Sequence, residues 1–207
     1  MAEVGNRLPL VVKVGGSLAE SGRLAVALAV IANAKRPVVV VAGGGVFADK
    51  VRDLQHALKF DDATAHRLAM LGMHQMAEVF VTTNARFRIA DSLDDIAAVL
   101  QTGAIPVWVP LPTLERDATI PADWSITSDG IAARLAEVLG GAPLALLKSC
   151  DVPKTSTAAE LAADGIVDAA FPEIVARANL DWRVYGPTDD SAFTARLARD
   201  ADAVAKS

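Results

Sequence analysis

LPLVVKVGGS, residues Leu8 to Ser17, is the stretch on which the fold turns. Leu10, Val11, Val12 and Val14 make a continuous apolar run, the pattern of a strand buried on both faces of a parallel sheet. Gly15 and Gly16 permit a tight turn that exposes backbone N–H groups. Ser17 is placed to cap a helix over about 18–33. Strand, turn and helix start together make an anion site, because free N–H groups and a helix N-terminus face one point. Lys13 falls at the strand's C-terminal end, where open α/β sheets bind ligands. Taken alone, the stretch is equally an ordinary strand-to-helix turn with a lysine at its mouth.

A second unit repeats the logic. PVVVVA, Pro37 to Ala42, reads as another buried strand, followed by Gly43, Gly44 and Gly45 and a helix over 46–58. Two glycine-rich strand ends in one small domain point to two anionic groups bound near each other. The plainer alternative is glycine packing at a crowded crossover.

Further along, Asp61 or Asp62 caps a long apolar-periodic helix to about Val81. His56, His66 and His74 have no compact metal-ligand spacing and read as solvent-facing or capping residues, with His74 able to reach a ligand if its helix covers the site. Residues 86–90 are extended, a helix over 92–101 ends at Gly103, and IPVWV is a strand with Pro106 at its start or at a sheet margin. Residues 110–125, rich in proline and holding Trp124, form an irregular loop, either a lid or a surface connection. Thr127 and Ser128 are capping residues for a helix to Leu139 that carries Asp129 in its first turn. LALLKS ends the next strand with Lys148. A short helix capped by Thr157, a helix over 171–180, the strand WRVYG and a last helix over 189–203 complete the chain. The βα alternation implies a three-layer α/β fold with a doubly wound, largely parallel sheet, in one domain over 1–207.

The totals agree. The chain has 207 residues, 52% of them hydrophobic, enough for one sizeable core. A net charge of −5 argues against nucleic-acid or anionic-membrane surfaces. Cys150 is the single cysteine, so no intrachain disulfide framework exists, in keeping with a reducing cytoplasm. No leader pattern opens the chain, and no apolar run is long enough to span a bilayer. Cys150 is expected to pack rather than react.

KVGGS at 13–17, AGGG at 42–45, and TSDGIAARLAEVLGG at 127–141 leading into LALLKSCDV resemble, in that order, the amino-acid kinase family. The short length, LLKSCDVPK, DGIVDAAFPE and the late YGP look closest to the branch that phosphorylates aminomethyl-furanmethanol phosphate in methanofuran-type cofactor biosynthesis. The resemblance implies an ATP- and magnesium-dependent kinase, with the acceptor on the N-terminal part and the nucleotide on the C-terminal part. Lys13, Asp129 and Lys148 would be catalytic, with Asp129 orienting the two lysines. Gly15, Gly16 and Ser17 would meet ATP phosphates, with Asp151, Lys154 and Gly165 on the nucleotide side. Gly43, Gly44 and Gly45 would hold the acceptor, with Arg67, Arg86 or Arg88 as further contacts or simply surface charges. No protein-built metal site is expected, since magnesium usually keeps phosphate and water ligands. Many relatives carry a second lysine where this chain has Asp168, so either Lys148 supplies that charge, the alternative favoured here, or Asp168 serves another role such as meeting magnesium. A small phosphorylated substrate and a homo-oligomer are expected, with no nucleic-acid or membrane partner.

No general base stands out in these stretches, which favours an acceptor already ionised at neutral pH, phosphate before carboxylate. The same fold can also bind nucleotides or oxyanions without turnover, as a resemblance to molybdenum-storage subunits allows. A phosphorylated product separates the two.

Overall fold

The computed structural model describes residues 8–198. Its six strands all run parallel: β1 (Leu10–Val14), β2 (Val38–Ala42), β3 (Phe87–Ala90), β4 (Ile105–Trp108), β5 (Leu144–Leu147) and β6 (Trp182–Tyr185). Their order across the sheet is β3-β4-β2-β1-β5-β6. From β1 the chain builds one half of the sheet on the β2 side and then the other half on the β5 side. The C-terminal ends of β1, β2 and β5 therefore meet where the connections diverge, the place at which such sheets bind ligands. Pro106 sits inside the sheet, one residue ahead of the β4 pairing with β2, so its missing N–H breaks no ladder bond there.

Helices cover both faces. Leu10, Val12 and Val14 face α1 (Leu24–Ala32) and α9 (Asp190–Ala198) through Leu28, Ile31, Phe193 and Leu197. Val11 joins Val39, Val41, Leu144 and Leu146 in the opposite layer, with α6 (Ser128–Val138) and α8 (Phe171–Arg177). The long α3 (Asp62–Thr83) contributes Met70 and Met73 to that layer, and Met76 and Phe80 to the other. Strand side chains alternate between faces, so Lys13 shares the α6 face with Val11. The remaining helices are α2 (Gly45–Leu58), α4 (Leu93–Gln101), α5 (Leu111–Leu114) and α7 (Ala158–Ala163). No helix among the described residues is long and apolar enough to cross a membrane.

Caps bear out much of the local reading. Asp61 accepts the Thr64 N–H at 2.7 Å, Ser92 accepts from Asp95 at 3.1 Å, and Thr157 and Glu160 form a capping box. The first helix departs from expectation. Gly16–Leu18 is a single 3₁₀ turn, and α1 starts only at Leu24. Gly22 takes a left-handed φ of 72°, which a continuing helix does not allow. Ser17 therefore caps no α-helix, and its hydroxyl meets that of Ser149 at 3.0 Å across the β1 and β5 ends. The part of the last helix expected beyond residue 198 lies outside the described residues.

Candidate active site

Lys13 is the fourth residue of β1 and is buried, 4% exposed. Its Nζ lies 2.8 Å from Asp129 Oδ1. Lys148, one residue past β5, reaches Asp129 Oδ2 at 2.6 Å. One carboxylate in the first turn of α6 therefore bridges two ammonium groups delivered by neighbouring strands. The Lys148 contact is an aligned hydrogen bond; the Lys13 contact is an ion pair without that alignment. Burial alone would raise the Asp129 carboxyl, but Lys13 and Lys148 outweigh it and hold the group below the usual carboxylate range. Burial, and then the Lys13 charge, push the Lys148 ammonium below its ordinary value against the pull of Asp129.

The two glycine loops meet directly beside this bridge. A Cβ on Gly16 would stand 2.2 Å from the Gly45 Cα, so only main chain separates the loops. Gly45 itself takes a φ of 51°, a conformation that suits glycine. Not every glycine N–H is open to a ligand. Gly15 donates to the Leu147 carbonyl at 3.3 Å, and Gly43 to the Val14 carbonyl at 2.8 Å. Those two tie the loops to the sheet. This corrects the expectation that Gly15 offers its amide to ATP phosphates, and it leaves Gly43, expected on the acceptor side, without a free amide there. The amides of Gly16, Gly44 and Gly45 have no backbone acceptor among the described residues, and the last two open α2 where a helix N-terminus favours an anion.

A cleft of about 200 Å³ lies over these loops. Its walls include Arg52, His66, Met73, Trp124 and Ser128. Trp124 comes from the irregular loop and is fastened to α2: its indole N–H donates to Gln55 Oε1 at 2.6 Å, and the Arg52 guanidinium lies 4.4 Å above its ring. The loop thus forms a wall of the cleft, as the lid alternative required. His66 is buried in the wall rather than solvent-facing, and burial lowers its pKa. His74 accepts the Leu111 N–H at 3.1 Å and so caps α5, away from the cleft lining.

The expected acceptor arginines lie elsewhere. Arg86 precedes β3 and donates to the carbonyls of Ala32 (2.6 Å) and Gly103 (3.1 Å). In a parallel sheet, a residue before a strand sits at the end opposite the ligand crevice. Arg88 bonds its own segment at the Phe87 carbonyl, 2.9 Å away. Arg67 turns to Glu115 at 2.8 Å, both half-exposed. Arg52 is the cation that sequence reasoning overlooked. Its signal was legible, since Gly45, Ala48, Asp49 and Arg52 share one helical face leading from the glycine loop.

On the nucleotide side, a second cavity of about 440 Å³ is lined by Val152, Lys154, Trp182 and Tyr185. Lys154 is 84% exposed there, 3.5 Å from Asp189. Asp151 is instead occupied with Thr188, accepting its N–H at 2.9 Å and its hydroxyl at 2.8 Å. Gly165 ends α7 with a φ of 68° and does not line this cavity. Cys150 is exposed, so the expected packing role is corrected.

Asp168 lines neither cavity and turns instead to the start of α6. Its Oδ2 accepts from the Thr127 N–H (2.7 Å), the Thr127 hydroxyl (3.0 Å) and the Gly130 N–H (2.9 Å). Thr127, expected to cap α6 with its side chain, makes no such bond, because Asp168 occupies that position.

Comparisons with known proteins agree with this fold. A family model described as the amino acid kinase family matches residues 9–158. The [5-(aminomethyl)furan-3-yl]methyl phosphate kinase of Methanocaldococcus jannaschii is 29% identical over 131 residues. That match covers 62% of this chain and 60% of the relative, so the chain spans less than two thirds of the relative's length. Among solved structures, uridylate kinase from Archaeoglobus fulgidus superposes with a TM-score of 0.66 at 16% identity, over 92% of this chain and 95% of that one. UMP kinase from Bacillus anthracis gives 0.63 at 14%, over 91% of each chain. At those identities the likeness speaks to the fold alone.

Proposed function

The chain belongs to the amino acid kinase family, and from that premise we propose that it transfers the γ-phosphoryl group of ATP to the phosphate of a small phosphate monoester, forming a diphosphate. The carrying observation is the buried Lys13–Asp129–Lys148 bridge beside two touching glycine loops. Phosphoryl transfer needs positioning and charge stabilisation more than covalent help. Lys13 and Lys148 offer positive charge where two anions must approach, and Asp129 fixes where that charge sits. The free amides of Gly16, Gly44 and Gly45 fit phosphate oxygens on either side of the contact between the loops.

Of the titratable bases in the cleft wall, His66 is buried, and the exposed Asp49 carboxylate lies 3.9 Å from the Arg52 guanidinium. An ionised phosphate oxygen needs no base, which favours a phosphate acceptor over an alcohol. Magnesium, when bound, would neutralise phosphate charge and usually keeps phosphate and water ligands. The similarity to the furanmethyl phosphate kinase makes aminomethyl-furanmethanol phosphate the acceptor of choice. Arg52 and Trp124 suit a phosphorylated flat ring: one supplies a guanidinium, the other an aromatic face.

The test is a matched pair, aminomethyl-furanmethanol and its phosphate, each incubated with ATP and magnesium and read by mass spectrometry. The expected product is a diphosphate from the phosphorylated member, with little from the alcohol. Equal or faster reaction of the alcohol rejects the anionic-acceptor reading.

A further inference from the structure

Three donors of one helix start converge on a single oxygen from a distant segment. Asp168 lies between α7 and α8, yet its Oδ2 takes the Thr127 N–H, the Thr127 hydroxyl and the Gly130 N–H. The two backbone donors flank Asp129 in sequence. The main chain on both sides of the bridging carboxylate is therefore held by the same acceptor. We propose that Asp168 is a positioning residue of the transfer site, holding Asp129 in register with Lys13 and Lys148; this rests on the phosphotransferase reading above.

Gly130 supports the assignment independently. A Cβ there would stand 2.9 Å from Asp168 Oδ1 and 2.7 Å from Ile126 Cγ1. Its backbone has no left-handed φ to explain a glycine in the first turn of a helix. The missing side chain leaves room for the carboxylate to lie against α6. Ala would favour the helix by about 1 kcal/mol, so the glycine is explained by the contact and not by the helix.

The three donors explain why an acceptor oxygen, and not an ammonium group, suits this position. A helix N-terminus stabilises an anion and repels a cation, so a lysine at 168 could not close α6. Asp129 from α6 and Lys148 from the end of β5 are the charged groups that act on Asp168. With Lys13 they form a balanced set of two ammonium and two carboxylate groups. Asp168 accepts from the protein and repels phosphate, so it acts through Asp129 and not on the substrate. A small misplacement at a reacting centre costs on the order of a hundredfold in rate, which is the scale of effect that a loosened first turn would produce.

The experiment compares the parent with Asp168→Asn and Gly130→Ala in the full chain. Asn keeps the size and removes the charge; Ala keeps the charge and displaces it. Turnover with ATP and the furanmethanol phosphate is measured beside both KM values. Separately, the rate at which an amine-acylating reagent labels Lys148 is followed by mass spectrometry, with folding checked by circular dichroism. The expected result is a kcat at least tenfold lower in both variants, with KM values within threefold of the parent and Lys148 labelled at least threefold faster. A kcat within twofold of the parent with unchanged labelling overturns the proposal. So does a loss of turnover that only follows loss of folded protein. If the parent makes no phosphorylated product from this acceptor, the acceptor assignment fails while the kinase family stands; labelling of Lys148 then still decides the positioning role by itself.

Discussion

Lys13 and Asp129 form an ion pair of 2.8 Å in which each side chain is only 5% exposed. Removing the lysine leaves Asp129 still bonded to Lys148, so the buried carboxylate is not stranded. Lys13→Ala is therefore expected to fold, while turnover falls by about a hundredfold or more through lost stabilisation of the transferring phosphoryl group. Steady-state kinetics with a thermal melt checks this. Turnover within threefold of the parent would remove Lys13 from the chemistry.

The reverse substitution is harsher. Asp129→Asn leaves two ammonium groups facing a neutral amide, one of them buried. Breaking a buried pair this way costs about 3 kcal/mol or more, so both melting temperature and turnover are expected to drop, with a smaller change in ATP affinity. Calorimetric titration with ATP, beside the melt, separates these effects. If only stability changes, Asp129 is a helix-dipole residue.

Asp168 sets the sign of a pH effect. Burial, and then the Asp129 charge, push its carboxyl up to about 6, against an ordinary value of 3.8. A carboxyl raised on folding holds its proton more tightly in the folded state. Its stabilising contribution is complete below the unfolded value and is lost as pH rises through about 6. The melting temperature of the parent minus that of Asp168→Asn should therefore be larger at pH 5 than at pH 7.5. A difference that grows towards pH 7.5 would contradict the raised value. Asp129 runs the opposite way, but its carboxyl is held below the usual carboxylate range, so its contribution is lost only at pH values below the window compared.

Arg52 and Arg86 are expected to behave as opposites. Arg52→Ala should raise the acceptor KM about tenfold, the order of one lost charge-assisted contact, and leave the ATP KM unchanged. Arg86→Ala should leave both KM values alone and lower stability by about 1–3 kcal/mol, since it abandons the carbonyls of Ala32 and Gly103. The same kinetic and melting measurements decide both. An acceptor KM that responds to Arg86 and not to Arg52 would return the site to the arginine first expected.

Cys150 is an exposed free thiol, and Cys150→Ser should keep turnover within twofold. Loss of activity with the fold intact would make it a nucleophile.

The sheet, its glycine loops and the Lys13–Asp129–Lys148 set were legible because each follows from local grammar: an apolar run, a turn residue, a cap, and the rule that ligands gather at strand ends. The Trp124 loop was legible as a lid but its partner was not, because it finds α2 through contacts far apart in sequence; Arg52 was legible on the helical face leading from Gly45 and was passed over. Arg86 shows a different failure. Its place before β3 already assigned it to the far end of the sheet, and the chemistry of a guanidinium distracted from the geometry. Asp168 looked like a departure from a pattern at the nucleotide; its hydrogen bonds to Thr127 and Gly130 make it part of α6 instead.

The contact of Gly16 with Gly45 has a consequence for how selectivity can change. Where two loops touch through main chain alone, no rotamer can lengthen or shorten the gap between them. That spacing is ruled by covalent geometry and by bonds such as Gly43 N–H to the Val14 carbonyl. Under the phosphotransferase reading, the distance between the two phosphates is then a fixed gauge cut into the scaffold. Choice of acceptor falls to the walls, to Arg52, His66 and Trp124, whose side chains can be exchanged without touching the gauge. Reaction and recognition are thereby carried by separable parts of the chain, and a new acceptor can be accommodated by altering one while the other stays as it is.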